Sequence, residues 1–217
     1  MATGAVVGTV EIVWLALAWL AFAAVHSALA SFAVKEKLAR CWPAAAPWYR
    51  LAFNGFSLAT VLPILWLSYA LEGSPLWQWT GAWRWLSHGL ALASIAGFVA
   101  AARGYDMETF LGLRQIRERD RQPDGHEGFR LSPFHRCVRH PWYFFGLVLV
   151  WTGDKNLPLL VSAVAITAYF IVGSRLEEKK LLALHGDAYR RYMARVPGLL
   201  PLPWKCLSAA EAEELSR

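Results

Sequence analysis

Arg139 and His140 stand immediately before Pro141, and Pro141 opens the apolar run Trp142-Tyr143-Phe144-Phe145-Gly146. A guanidinium and an imidazole therefore sit where water gives way to lipid, a boundary at which polar groups are costly unless something occupies them. A helix N-terminus beside an arginine is also a receptor for a carboxylate or phosphate, because its first N–H groups lack intrahelical partners. Farther along, Glu177 and Glu178 fall within a turn or so of the membrane, across from Arg139 and His140. A carboxylate there could hold a cationic amine or ribose hydroxyls. Two plainer readings stand beside these. Arg139-His140-Pro141 is also what a snorkelling anchor before a proline-capped helix looks like. The stretch from Arg175 onward is also what an interfacial helix with a solvated charged face looks like.

The elements that must position these groups are helices. Of 217 residues 56% are apolar, 12 are Trp and only 18% are charged, which is unusual for a soluble domain. Thr9–Val34, Tyr49–Leu71 and Trp85–Ala102 each approach or exceed the ~20 residues that a bilayer crossing needs. The apolar stretch Pro141–Gly173 is interrupted at Gly153-Asp154-Lys155-Asn156-Leu157-Pro158 and reads as a hairpin of two shorter helices. The expected fold class is all-α. It is a polytopic membrane protein with five transmembrane helices, the last two a helical hairpin, plus a cytoplasmic C-terminal amphipathic helix. Residues 1–217 are read as a single integral-membrane domain, with the cytoplasmic loop 104–139 and the cytoplasmic C-terminal segment 174–217 completing the site.

Charge placement tests the helix count. Lys35, Lys37, Arg40 and Arg50 follow the first helix, eight arginines run from Arg103 to Arg139, and seven Lys/Arg fall between Arg175 and Lys205. Arg84 and Lys155 are isolated in the other two connections. Five crossings put every basic stretch on one side, the cytoplasm, and the N-terminus outside. The net charge of +6 then needs no nucleic-acid partner, since membrane lipids with anionic headgroups account for it. Cys41, Cys137 and Cys206 show no paired or metal-ligand spacing and all fall on the predicted cytoplasmic side, where thiols stay reduced. Gly104, Gly112, Gly125 and Gly128 form no phosphate-binding pattern.

Val138-Arg139-His140-Pro141-Trp142-Tyr143-x-x-Gly146, then Glu177-Glu178, then Tyr189-x-x-Tyr192-x-x-x-Val196-Pro197-x-x-x-Pro201, resembles the integral-membrane methyltransferase superfamily. That group includes the isoprenylcysteine carboxyl methyltransferases, the phospholipid N-methyltransferases and bacterial relatives. A second set of segments lies in the first half: His26-Ser27-x-Leu29-Ala30-Ser31, Tyr49-Arg50-Leu51-x-Phe53-Asn54 and Phe110-Leu111-Gly112-Leu113-Arg114-Gln115. These look like the bacterial NnrU-like and methanethiol S-methyltransferase branch. Ser132-Pro133, where many relatives have Gly-Pro, and His135 depart from the pattern.

The resemblance implies S-adenosylmethionine as cofactor, contacted by Arg139, His140, Tyr143, Gly146, Glu177 and Glu178. It implies a small or lipophilic acceptor reaching the site from the membrane, with thiol S-methylation favoured. His26, Asn54, Arg114, Gln115 and Arg195 are the candidates for the acceptor side. The implied setting is a bacterial inner membrane. The sulfonium methyl is already activated, so no metal is called for, and catalysis would come from alignment and exclusion of water. No residue must serve as general base. Alternatives are a non-catalytic NnrU-like accessory protein, or a prenylcysteine carboxyl or phospholipid methyltransferase.

Overall fold

The computed structural model describes residues 7–119 and 131–216; Gly125, Gly128 and the rest of 120–130 lie outside them. The fold is built from helices. They are α1 (Thr9–Leu29), α2 (Phe32–Cys41), α3 (Tyr49–Ala70), α4 (Ala82–Ala102), the short α5 (Met107–Leu111) and α6 (Leu113–Glu118), α7 (Pro141–Thr152), α8 (Leu157–Arg195) and α9 (Ala209–Ser216). The only sheet among the described residues is one antiparallel pairing of β1 (Pro75–Trp77) with β2 (Lys155–Asn156). The chain forms two compact units. The first comprises Met1–Gln78, Tyr105–His126 and Asp154–Ala165, and the second Trp79–Gly104, Glu127–Gly153 and Ile166–Arg217.

Four helices, α1, α3 with its leading turn, α4 and α8, are long and apolar enough to cross a membrane. Their apolar side chains point outward: Trp14, Leu20, Trp66 and Leu92 are each at least 65% exposed. Lipid gives such side chains nothing to flee, so polar and small residues hold these helices together. In the first unit Trp19 donates its indole N–H to Ser162 Oγ (2.9 Å), and the Ser68 and Ser162 hydroxyls pair at 2.7 Å. In the second unit Ser94 donates to the Phe145 carbonyl (2.5 Å) and Ser87 to that of Thr152, joining α4 to α7. Gly97 lets the two backbones close, because a Cβ there would clash with the edge of the Phe145 ring.

The remaining apolar helix, α7, ends where the sequence places the interruption, and its 12 residues span about 18 Å at helical rise, against ~30 Å for a hydrocarbon core. Two expectations need correction. The first helix stops at Leu29 rather than Val34, because Ser31 caps a separate helix by accepting from the Val34 N–H (3.4 Å). Cys137 and Cys206 are not separate thiols: they form a disulfide, with Cα atoms 4.2 Å apart. Only Cys41 is free. Spacing could not reveal that pair, since its partners are 69 residues apart and meet only because the chain turns back after α8.

Within α8 itself Gly186 breaks the helical run with φ 52° and ψ −125°, a conformation that side chains with a Cβ disfavour. Beyond it the chain builds a conventional apolar core from Tyr189, Tyr192, Val196, Leu207 and Ala212, all at most 5% exposed. Burial behaves here as it does in water.

Candidate functional site

The site grows from the N-terminus of α7. Pro141 occupies the first helical position, where a missing N–H costs nothing, and His140 is the extended residue before it (φ −122°, ψ 72°). The backbone N–H groups of Arg139 and His140 donate to the carbonyls of Pro197 (2.9 Å) and Gly198 (3.1 Å). Gly198 suits this close passage, because a Cβ there would lie 3.2 Å from the Arg139 guanidinium.

Arg139 gives its donors to the protein. Nε and Nη2 reach one oxygen of Glu178 at 2.8 and 2.7 Å, and Nη1 donates to the carbonyls of Met193 (3.1 Å) and Val196 (2.5 Å). Those carbonyls end α8, where the last turn has no intrahelical donors. Arg139 therefore ties the end of α8 to the start of α7.

The ring of His140, 6% exposed, lies between two carboxylates. Nε2 is 3.0 Å from Glu178 Oε1 and Nδ1 is 3.3 Å from Glu177 Oε2. Burial opposes the imidazolium, but hydrogen bonds and charge from Glu177 and Glu178 outweigh it, so the His140 pKa is raised. Glu178 is enclosed, whereas the Glu177 side chain is 49% exposed. Tyr143 stacks on His140 (ring centroids 5.3 Å, planes 10° apart) and on Phe170 (4.6 Å, 9°). Both ring faces are thereby covered. Gly146 supports this stack, since a Cβ there would come within 2.9 Å of the Phe170 ring.

His135, noted in the sequence only as a departure, belongs to this cluster. Its Nδ1 is 2.7 Å from Ser132 Oγ, and its carbonyl accepts from the Tyr192 hydroxyl at 2.7 Å. Burial first, and then the charge on His140, push its pKa down to about 4 against a smaller opposing pull from Glu177. The two histidines are shifted in opposite directions, His135 down and His140 up.

The remaining predicted residues lie elsewhere. Arg195, also in the second unit, forms an exposed ion pair with Glu211 at 2.6 Å. His26, Asn54, Arg114 and Gln115 all belong to the first unit and knit its helices. His26 Nδ1 meets Ser57 Oγ at 3.0 Å and its ring packs on Phe22 and Phe53. Asn54 donates to the Phe110 carbonyl (2.9 Å) and buried Gln115 to that of Thr109 (3.2 Å). Arg114 pairs with Asp106 at 2.6 Å. Asp106 caps α5 through the Thr109 N–H, and that bond leads the effects that lower its pKa.

No family model matches the chain, and no solved structure does. Curated proteins do. The chain is 31% identical over 183 residues to methanethiol S-methyltransferase 2 of Bradyrhizobium diazoefficiens, an overlap of 83% of this chain and 69% of that protein. It is 29% identical over 191 residues to methanethiol S-methyltransferase of a Pseudomonas species, again 83% of this chain and 69% of the relative. It is 30% identical over 141 residues to the methanethiol S-methyltransferase of Crocosphaera subtropica, 55% of this chain and 54% of that protein.

Proposed function

We propose a function on one premise: the chain belongs to the family of the methanethiol S-methyltransferases. On that premise it transfers a methyl group from S-adenosylmethionine to the sulfur of a small thiol within a membrane. The observation that carries this reading is the ion-pair cluster of Arg139, His140, Glu177 and Glu178 at the N-terminus of α7.

The residues present fit such a donor. The only half-open member of the cluster is a carboxylate, Glu177, which suits an ammonium or a pair of hydroxyls. The first turn of α7 supplies N–H groups for a carboxylate. Arg139 and Glu178 act as the frame, because the Arg139 donors and Glu178 Oε1 already engage each other, His140 and the end of α8. When bound, the donor supplies a methyl made electrophilic by its sulfonium. The protein's part is to hold donor and thiol in line and to keep water out, so that the sulfur nucleophile is poorly solvated. His135, with a pKa of about 4, is too weak a base to deprotonate a thiol, and we assign it no proton transfer.

The same reading places the protein in a bacterial inner membrane with five crossings, the N-terminus outside and the site on the cytoplasmic face. Gly153 is extended (φ −77°, ψ 159°) and runs through Asp154 to β2. Three such residues add roughly 10 Å to the ~18 Å of α7, which supports a crossing by a short helix with an extended tail.

The test uses protein purified in detergent. S-adenosylmethionine should bind and NADPH should not. With S-adenosylmethionine saturating, methanethiol should yield dimethyl sulfide, and rates across longer alkane thiols should level off or fall after one or two added carbons as a small pocket fills. Preference for a prenylated cysteine would overturn the acceptor. Tight donor binding without turnover of any thiol, carboxylate or amine would instead indicate a non-catalytic accessory protein.

A further inference from the structure

The methyl-transfer reading leaves the Cys137–Cys206 pair without a role, yet few features lie closer to the site. Cys137 precedes Arg139 by two residues and His140 by three, and Cys206 sits on the returning segment. Around the bond the two strands are fastened in parallel ways. Arg136 donates through Nε to the Leu207 carbonyl (2.8 Å), and the Leu207 N–H donates to the Arg136 carbonyl (2.9 Å). Beyond it, Arg139 and His140 are bonded to Pro197 and Gly198. The segment 197–207 thus lies as a strap along the chain that carries Arg139 and His140. Beneath it His140 and Glu178 are each at most 9% exposed, and only Glu177 is half-open.

We propose that Cys137 and Cys206 form a redox-active pair that exchanges with small thiols, and that its opening releases the strap from the donor site. Cys206 is exposed whereas Cys137 is half-buried, so an incoming thiolate reaches the Cys206 sulfur first. It forms a mixed disulfide there while the bond between the two cysteines breaks, and Cys137 leaves as a thiolate. A second thiolate attacks the sulfur contributed by the first. A small disulfide departs and Cys206 is released. Two thiols are oxidised, the pair is reduced by two electrons, and the protons of the two thiols end on Cys137 and Cys206. A small disulfide runs the sequence backward and closes the strap. On the cytoplasmic side such pairs are transient and redox-sensing, in contrast to the structural disulfides of oxidising compartments. The consequence for the site rests on the methyl-transfer reading: thiols of the acceptor's own class would open the path by which donor and product exchange.

The strap keeps other fastenings when the bond opens, namely the Arg136–Leu207 bonds, the burial of Leu207 and Ala212, and the Arg195–Glu211 ion pair. The reduced protein therefore stays folded. The test uses a Cys41→Ser background, so that the pair supplies every thiol. The protein is equilibrated in detergent with a graded ratio of a small monothiol to its disulfide. Two alkylatable thiols should appear together at millimolar thiol. Hydrogen exchange across 197–216 should rise with them, and bound S-adenosylmethionine should dissociate roughly tenfold faster. Cys206→Ser should show the open behaviour at every ratio. A pair that stays oxidised until the protein unfolds, or equal protection of 197–216 in both forms, would overturn the proposal and leave a purely structural disulfide. Opening of the strap in a protein that binds no S-adenosylmethionine would defeat the donor reading and leave the exchange chemistry standing.

Discussion

Glu178 and Glu177 are neighbours in sequence with different work. One oxygen of Glu178 accepts from Arg139 Nε and Nη2 and lies beside His140 Nε2, whereas Glu177 faces His140 from a half-exposed position. Glu178→Gln leaves the enclosed Arg139 guanidinium without its counter-ion and should destabilise the protein by about 3 kcal/mol, read from thermal unfolding in detergent. Glu177→Gln should change stability by less than about 1 kcal/mol while weakening S-adenosylmethionine binding roughly tenfold or more, as expected for a lost charge-assisted contact. The reverse ranking would mean that the roles are exchanged. His135 makes a separate claim. Its folded pKa of about 4 lies below the ordinary 6.5, so the unfolded chain takes up the proton first. Its contribution should be complete above pH 6.5 and fade as pH falls toward 4, and His135→Asn should flatten that part of the stability profile. The meeting of Arg139 and His140 with the Glu pair was legible, because both lie near the same end of adjacent helices. That Arg139 spends its remaining donors on Met193 and Val196 was not, since this depends on where the chain goes after Gly186.

Among the elements, α4 and α7 show what composition conceals. Their apolar faces are read easily from the sequence, but their closeness rests on Gly97, which periodicity treats as an interruption. Gly97→Ala should push against the Phe145 ring and cost about 1–3 kcal/mol. Gly89→Ala in the same helix meets nothing within 4 Å and should be neutral or stabilising by up to ~1 kcal/mol. Unfolding midpoints of the two variants provide the comparison. The end of α7 at Thr152 was legible, because Gly153 and Asp154 interrupt the apolar run at that point. The break after Leu29 was missed. Phe32-Ala33-Val34 keeps the run apolar across a serine cap.

For the molecule in its membrane, the pattern of basic residues supplied a topology before any coordinates did. The pairing of Pro75 with Asn156 adds that the connection after α3 and the turn after α7 share a face. Reporter fusions at Ser74 and Lys155 should agree with each other and disagree with fusions at Lys37 and after Lys205; disagreement between the first two would break the five-crossing scheme. The sandwich of His140 between two carboxylates carries the last consequence. A ligand ammonium that draws Glu177 away removes part of what raises the His140 pKa, so that ring should give up a proton as the ligand arrives. Reciprocity then requires affinity to rise with pH between the two pKa values of the ring, free and liganded. Calorimetric titrations in buffers of different ionisation heat should register that proton, making the histidine a counter of occupied sites.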